Sequence, residues 1–287
     1  MSDIEIELSN DTSKISQPLN FYSYNGFSQN TEVPIYDFNG GMLCHILSDE
    51  LGYIKWEDNK YFITANYSPT QAFNWLGRVA EAVVVYLCNS DQNRNHFYIN
   101  HIKERKTYRP ISSKFFAIGT GLLSTKNKYP FRYNPADPQG DVIWIDKTNK
   151  ILLQNSINKI SGIIAGLQVK VSANAKSYVL RDLINNRYEV PLLCFDYNPY
   201  AKYYEIENYL YKNGYRHILD DGLYINAYYF DRDAWEEVNY YRQILIELLN
   251  NKITINDVFR IEGYNHKLFN SLLQTSLLDN PGAKLQL

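Results

Sequence analysis

Apolar and polar positions along the chain change period from one block to the next, and the periods predict elements. From Ser68 to Asn89 (SPTQAFNWLGRVAEAVVVYLCN), Trp75, Leu76, Val79, Val83 and Tyr86 recur at helical spacing. Val84, Val85 and Cys88 make a second stripe, so the C-terminal half is apolar almost all round, as a buried helix is. Ser68 as N-cap, Pro69 at the first helical position and Gln71 completing a capping box mark the start. Continuous apolar runs predict buried strands at DVIWIDK (141–147), SGIIAGLQVKV (161–171) and YEVPLLCFD (188–196). Between the last two, NAKSYVLRDLINN (174–186) has an amphipathic helical pattern, with Tyr178, Leu180, Leu183 and Ile184 apolar and Asn174 or Ser172 as cap.

The order strand, strand, helix, strand predicts an α/β fold, a sheet with helices on its faces. Residues 1–65 predict a β-rich lead-in of short strands and turns (IEIEL, PIYDFNGGM, KYFITANY), residues 66–200 the α/β core, and residues 201–287 a mostly helical C-terminal region. Residues 98–133 predict loops and one strand, KFFAIGTGLL, while NPADPQG (134–140) is a turn and KTNKILLQNSINKI (147–160) fits no single pattern.

Composition narrows the function classes. A formal net charge of −2 excludes a polycation, so nucleic-acid binding needs local clustering of basic residues. One such cluster exists: Lys103, Arg105, Lys106, Arg109, Lys114, Lys126, Lys128 and Arg132 stand against the single acid Glu104, with aromatics between them. A basic stretch is as often a solvated face as a phosphate-binding one. Tyrosine is abundant, 26 residues, in keeping with a coding bias or with rings that stack on bases. Cys44, Cys88 and Cys194 are odd in number and far apart, which predicts reduced core thiols, a cytoplasmic setting and no cysteine zinc site. The acidic N-terminus has no apolar signal segment, and the longest apolar run, Ala82 to Cys88, is too short for a membrane span. The five histidines lack metal-ligand spacing, and no phosphate-binding glycine loop or nucleophile elbow is present.

Four polar residues sit where packing alone does not want them. Glu81 lies in the apolar half of the long helix, Asp141 opens a buried strand, and Gln168 and Lys170 interrupt the next. Lysine is almost never fully buried unpaired. Residues two apart on a strand share a face, so Gln168 and Lys170 project together. Two carboxylates, an amide oxygen and a lysine at one sheet edge suit phosphodiester hydrolysis: Mg²⁺ takes oxygen ligands, and a lysine orients water or offsets charge on the phosphoryl group. The simpler readings are a solvent-reaching Lys170 and a surface-type Glu81–Arg78 pair one turn apart.

The order Glu81 on a helix, Asp141 on a strand, Gln168-Val169-Lys170 on the next strand, then a helix and a strand resembles the PD-(D/E)xK nuclease superfamily, over roughly residues 66–200. The resemblance implies a restriction-endonuclease-like mixed sheet flanked by helices. It implies a Mg²⁺- or Mn²⁺-dependent endonuclease acting on DNA in bacterial anti-phage defence or restriction. Asp141, Gln168, the Val169 carbonyl and Glu81 would hold the metal, Lys170 would serve the reaction, and the basic stretch would contact the DNA backbone. A homodimer, or a helicase, ATPase or sensor partner, would complete the assembly. Gln168 stands where the superfamily more often has glutamate, which removes one charge and leaves open an inactive, DNA-binding or assembly subunit. Asp137, in the preceding loop, is the alternative to Asp141.

Overall fold

The computed structural model describes residues 40–58, 60–104, 114–156, 159–197 and 204–259, with the short strands β1 (Glu5–Ile6), β2 (Pro18–Phe21), β3 (Thr31–Pro34) and β13 (Lys284–Leu285). In chain order the main part runs α1 (Gly40–His45), β4 (Ile54–Glu57), β5 (Lys60–Ile63), α2 (Ala72–Ser90), α3 (Gln92–Glu104), β6 (Phe115–Gly119), α4 (Leu123–Lys128) and β7 (Val142–Asp146). It continues with β8 (Leu153–Ser156), β9 (Lys159–Ile164), β10 (Gly166–Ser172), α5 (Ala175–Ile184), β11 (Leu192–Asp196), α6 (Glu205–Lys212) and α7 (Arg216–Asp220). The last elements are β12 (Tyr224–Asn226), α8 (Ala227–Phe230), α9 (Arg232–Leu249) and α10 (Ile255–Phe259).

The chain is mixed α/β, with a five-stranded sheet in the order β12-β11-β10-β7-β6. β7 runs antiparallel to both of its neighbours, β6 and β10, whereas β10, β11 and β12 run parallel. The fully buried runs Phe115–Gly119 and Val142–Asp146 explain why these strands lack polar alternation: both sheet faces are covered. One face carries Val142, Trp144, Leu167, Val169, Leu193 and Phe195 in a core with α2 and α9. On the other face Leu192 and Cys194 pack with Val179 and Leu183 of α5 and Ile206 and Leu210 of α6. α2 is buried nearly all round because Val238, Tyr241 and Leu245 of α9 share the core that holds its Val79, Val83 and Tyr86.

Several expected elements differ. No capping box forms at Ser68: its Oγ turns to Thr70 Oγ1 at 2.8 Å, and a 3₁₀ turn over Pro69–Gln71 precedes α2. The Gly-Gly stretch read as a turn is α1, continued by π-helical residues Ile46–Glu50, because Met42, Leu43, Cys44, Ile46 and Leu47 are all buried. α3 occupies a stretch read partly as loop; its polar surface hides the spacing of buried Tyr98, Ile99 and Ile102. SGIIAGLQVKV is two strands: Ala165 breaks the run, β9 turns back on β8, and β10 joins the main sheet. The helical C-terminal region also supplies a strand, β12, to that sheet.

β6 is the edge of the sheet, and asparagines close its outer side. Asn89 Nδ2 donates to Ala117 O at 2.8 Å, and Ala117 N donates to Asn89 Oδ1 at 2.9 Å. Asn95 Nδ2 donates to Phe115 O at 2.8 Å and its Oδ1 accepts from Trp144 Nε1 at 2.7 Å. Side-chain amides thus replace the missing neighbour strand.

Candidate active site

β7 and β10 pair only through Val142–Leu167 and Ile143–Gly166, then part. Asp141 sits at that parting. Its N–H donates to Leu167 O at 2.9 Å and its C=O accepts from Thr120 N at 2.8 Å, so its backbone is held from both sides. Beyond this point β10 has no partner on the β7 side. Gln168 N and Ser172 O bond toward the β11 side, to Pro191 O and Tyr197 N. By alternation, the Val169 N–H and C=O face the gap. The N–H is taken up by Asp141 Oδ2 at 2.8 Å.

The gap is the floor of a cleft of about 530 Å³. Arg78, Glu81, Asp141, Gln168, Val169 and Lys170 all line it, with Phe73 and Tyr178 on its flanks. The four residues singled out as out of place in the sequence therefore meet in space. Gln168 and Lys170 lie in register with Leu192 and Cys194, which face α5, whereas Glu81 comes from α2 on the opposite face. They converge because the sheet is open there.

Gln168 is buried, and its Nε2 donates to Asp141 Oδ2 while its Oε1 has no hydrogen-bond partner. A buried amide oxygen left bare costs about 1–3 kcal/mol. Lys170 is half-buried and rests over the Tyr188 ring, 5.3 Å from its centroid. Among the described residues no carboxylate lies within 4.0 Å of its ammonium. Burial pushes the Asp141 carboxyl up, against the Val169 N–H and Lys170, which pull it down.

Glu81 is 1% exposed and is held by two donors, Arg78 Nη1 at 2.8 Å and Gly121 N at 2.9 Å. Burial pushes its carboxyl up to about 8; Arg78 draws it down and Asp141 raises it further. The Glu81–Arg78 pair exists, then, but it is not a surface pair. Arg78 also donates to Pro135 O at 2.6 Å. Two glycines make room: a Cβ on Gly119 would lie 2.6 Å from Glu81 Oε1, and one on Gly121 would lie 2.2 Å from Arg78 Nη1. The glycines at the end of β6 thus have a packing purpose. Arg78 and Gly121 are the site residues that sequence reasoning did not assign to the cleft; the signal was Arg78 at i−3 from a buried acid.

Asp137 does not line the cleft; its Oδ1 accepts from Gln139 N at 2.8 Å within the turn. Asp146 closes the turn after β7 by accepting from Thr148 and Lys150. Of the basic stretch, the side chains of Lys103, Arg105, Lys106 and Arg109 lie outside the described residues. Lys114 precedes β6 at the end of the sheet remote from Asp141, about 20 Å along the strand at ~3.3 Å per residue. Arg132 is fixed on Asn149 by bonds of 3.0 and 2.7 Å. Lys126 and Lys128 are exposed on α4, which follows Gly121, and Lys126 lies 5.6 Å from the Tyr133 ring centroid. The four described residues therefore do not form one strip.

Among the described residues no three His, Cys, Asp or Glu gather as a metal-holding group, and no helix is long and apolar enough to cross a membrane. The oxygen donors facing the cleft are two carboxylates, one bare amide oxygen and one strand carbonyl, a hard set that fits a cation such as Mg²⁺ better than a soft metal. No protein-family model, no curated protein and no solved structure matches the chain.

Proposed function

We propose that the chain is a metal-dependent nuclease of the PD-(D/E)xK, restriction-endonuclease-like type, hydrolysing phosphodiester bonds of DNA. The observation that carries this reading is the bare, buried Oε1 of Gln168 beside the Asp141 carboxylate, on a cleft wall shared with Lys170 and Glu81. Asp141, Gln168, the Val169 carbonyl and Glu81 would hold Mg²⁺, with Mn²⁺ as substitute. Bound there, the cation would polarise a phosphate and lower the pKa of a coordinated water.

The protein's own groups have separate tasks. The Val169 N–H fixes Asp141 Oδ2. Gln168 donates from its Nε2 to the same Oδ2, which leaves its Oε1 as a donor atom for a cation. Lys170, uncommitted to any described carboxylate, orients the attacking water and stabilises charge developing on the phosphoryl oxygens. Phe73 and Tyr178 narrow the approach from α2 and α5. A homodimer or a defence-complex partner would supply DNA contacts that a chain of net charge −2 lacks.

The test is cleavage of plasmid and linear DNA in Mg²⁺, Mn²⁺ or EDTA, with Lys170→Ala and Asp141→Ala alongside. Metal-dependent cutting lost in both variants is expected. The donor set, with an amide where a third carboxylate would stand, favours a second reading, an inactive nuclease-fold subunit that binds DNA or assembles a complex. DNA binding with neither cutting nor calorimetric Mn²⁺ binding would select it.

A further inference from the structure

Arg78 is the one cleft cation that the roles above leave unused. It stands one helical turn before Glu81, its side chain 25% exposed, with its guanidinium between Glu81 Oε2 and Pro135 O. A guanidinium has five N–H donors in a rigid fork. Two are engaged on those acceptors, and the Tyr53 hydroxyl lies beside the group. The bonds come from different elements, α2 and the turn before β7, so the fork is fixed before any ligand arrives. Gly121 keeps the space clear, since any Cβ there would overlap Nη1, Cζ and Nη2, at 2.2, 2.6 and 2.7 Å. Gly121 has no positive φ that would demand glycine for the backbone, which leaves the guanidinium as the reason for it.

The charges of the cleft point the same way. Asp141 and Glu81 are matched by Arg78 and Lys170, so a divalent cation would give the cleft a surplus of positive charge. Such a surplus suits an anionic phosphodiester, and a fixed arginine fork is the side chain best shaped to grip it. We propose that Arg78 is a substrate-binding residue of this site: its free N–H groups hold a DNA phosphate beside Asp141, and Gly121 is small in order to seat it. This rests on the nuclease reading above.

The test separates that role from simple support of Glu81. Binding of a fluorescein-labelled DNA duplex would be followed by anisotropy in Ca²⁺ over a range of salt, and Mn²⁺ binding by calorimetry, for the wild type, Arg78→Met, Arg78→Lys and Gly121→Ala. Loss of one phosphate contact lowers the slope of log K against log salt by about 0.9. Arg78→Met should show that loss and bind DNA about tenfold more weakly, with Mn²⁺ binding retained. Gly121→Ala, which displaces the guanidinium without removing it, should weaken DNA binding in the same direction. Arg78→Lys should keep the salt slope but cleave more slowly, having lost the fork. If the variants lose Mn²⁺ affinity while DNA affinity and salt slope stay at wild-type values, Arg78 serves Glu81 alone and the proposal is wrong. If the wild type binds neither DNA nor Mn²⁺, the nuclease reading itself fails, and this one with it.

Discussion

Replacing Asn89 by leucine should destabilise the protein more than most single substitutions on a helix. Asn89 gives and receives one hydrogen bond with the backbone of Ala117, at 2.8 and 2.9 Å, and Ala117 is fully buried. Leucine is close in size but meets neither group. Each buried backbone group left unpaired costs about 1–3 kcal/mol, so the pair costs roughly 2–5 kcal/mol after some relaxation. At roughly 2–4 °C per kcal/mol for a chain of this class, the melting temperature should fall by about 4–20 °C. Urea titration followed by tryptophan fluorescence measures the free energy directly, and the m-value should stay unchanged. Asn93→Ala, at an exposed position of α3, serves as control and should stay within about 0.5 kcal/mol. β6 leads into Gly121, which donates to Glu81, so on the proposed nuclease reading DNA cleavage should drop below what the folded fraction explains. A change under about 0.5 kcal/mol in Asn89→Leu would show that Ala117 finds water, and the account of the closed sheet edge would be refuted.

Three more outcomes follow from the geometry. Glu81 has a folded-state value of about 8, above its ordinary 4.5, so its stabilising contribution is present at low pH and lost as pH rises through that window. In EDTA the wild type should weaken between pH 5 and 8 and Glu81→Gln should weaken less; parallel urea-stability profiles would contradict the assignment. Ser124→Ala removes the 2.6 Å bond from Oγ to Glu50, a buried carboxyl otherwise held by Tyr86 and the Ser124 N–H, and should cost about 1–3 kcal/mol in the same titration. Tyr188→Leu removes the ring under Lys170, a contact of about 0.5–2 kcal/mol, and on the proposed nuclease reading should slow DNA cleavage by roughly two- to thirtyfold, while Tyr188→Phe, which keeps the ring, should not.

What could be read from the chain depended on whether a signal was local. α2, β7, β10 and β11 were legible because burial leaves nearly continuous apolar runs, and α5 because its amphipathic spacing is local. Asp141, Gln168 and Lys170 were legible for the same reason inverted, as polar residues where burial rules. α1 was not, because Gly40 and Gly41 suit a turn and only tertiary packing makes them helical. β12, three residues between helices, has no pattern of its own; it is a strand because β11 lies beside it. The basic stretch looked continuous in the chain, yet Lys114 precedes β6 and α4 follows it, so they lie at opposite ends of that strand. Arg78 was visible as a partner for Glu81, but its place in the cleft depends on Pro135 and Gly121, both more than forty residues away.

The covering of α2 by α9 bears on how this protein can be divided or exchanged. Every residue that lines the cleft lies between positions 73 and 178, a span that reads as a unit to be lifted out whole. Yet Val238, Tyr241 and Leu245, which share a core with α2, come from far downstream, as does the sheet's last strand. A fragment ending near residue 200 would carry every cleft residue and still bare a sticky apolar flank, inviting self-association. The cleft-lining stretch is therefore not a portable module: its inheritance, by recombination or by design, requires α9 to travel with it.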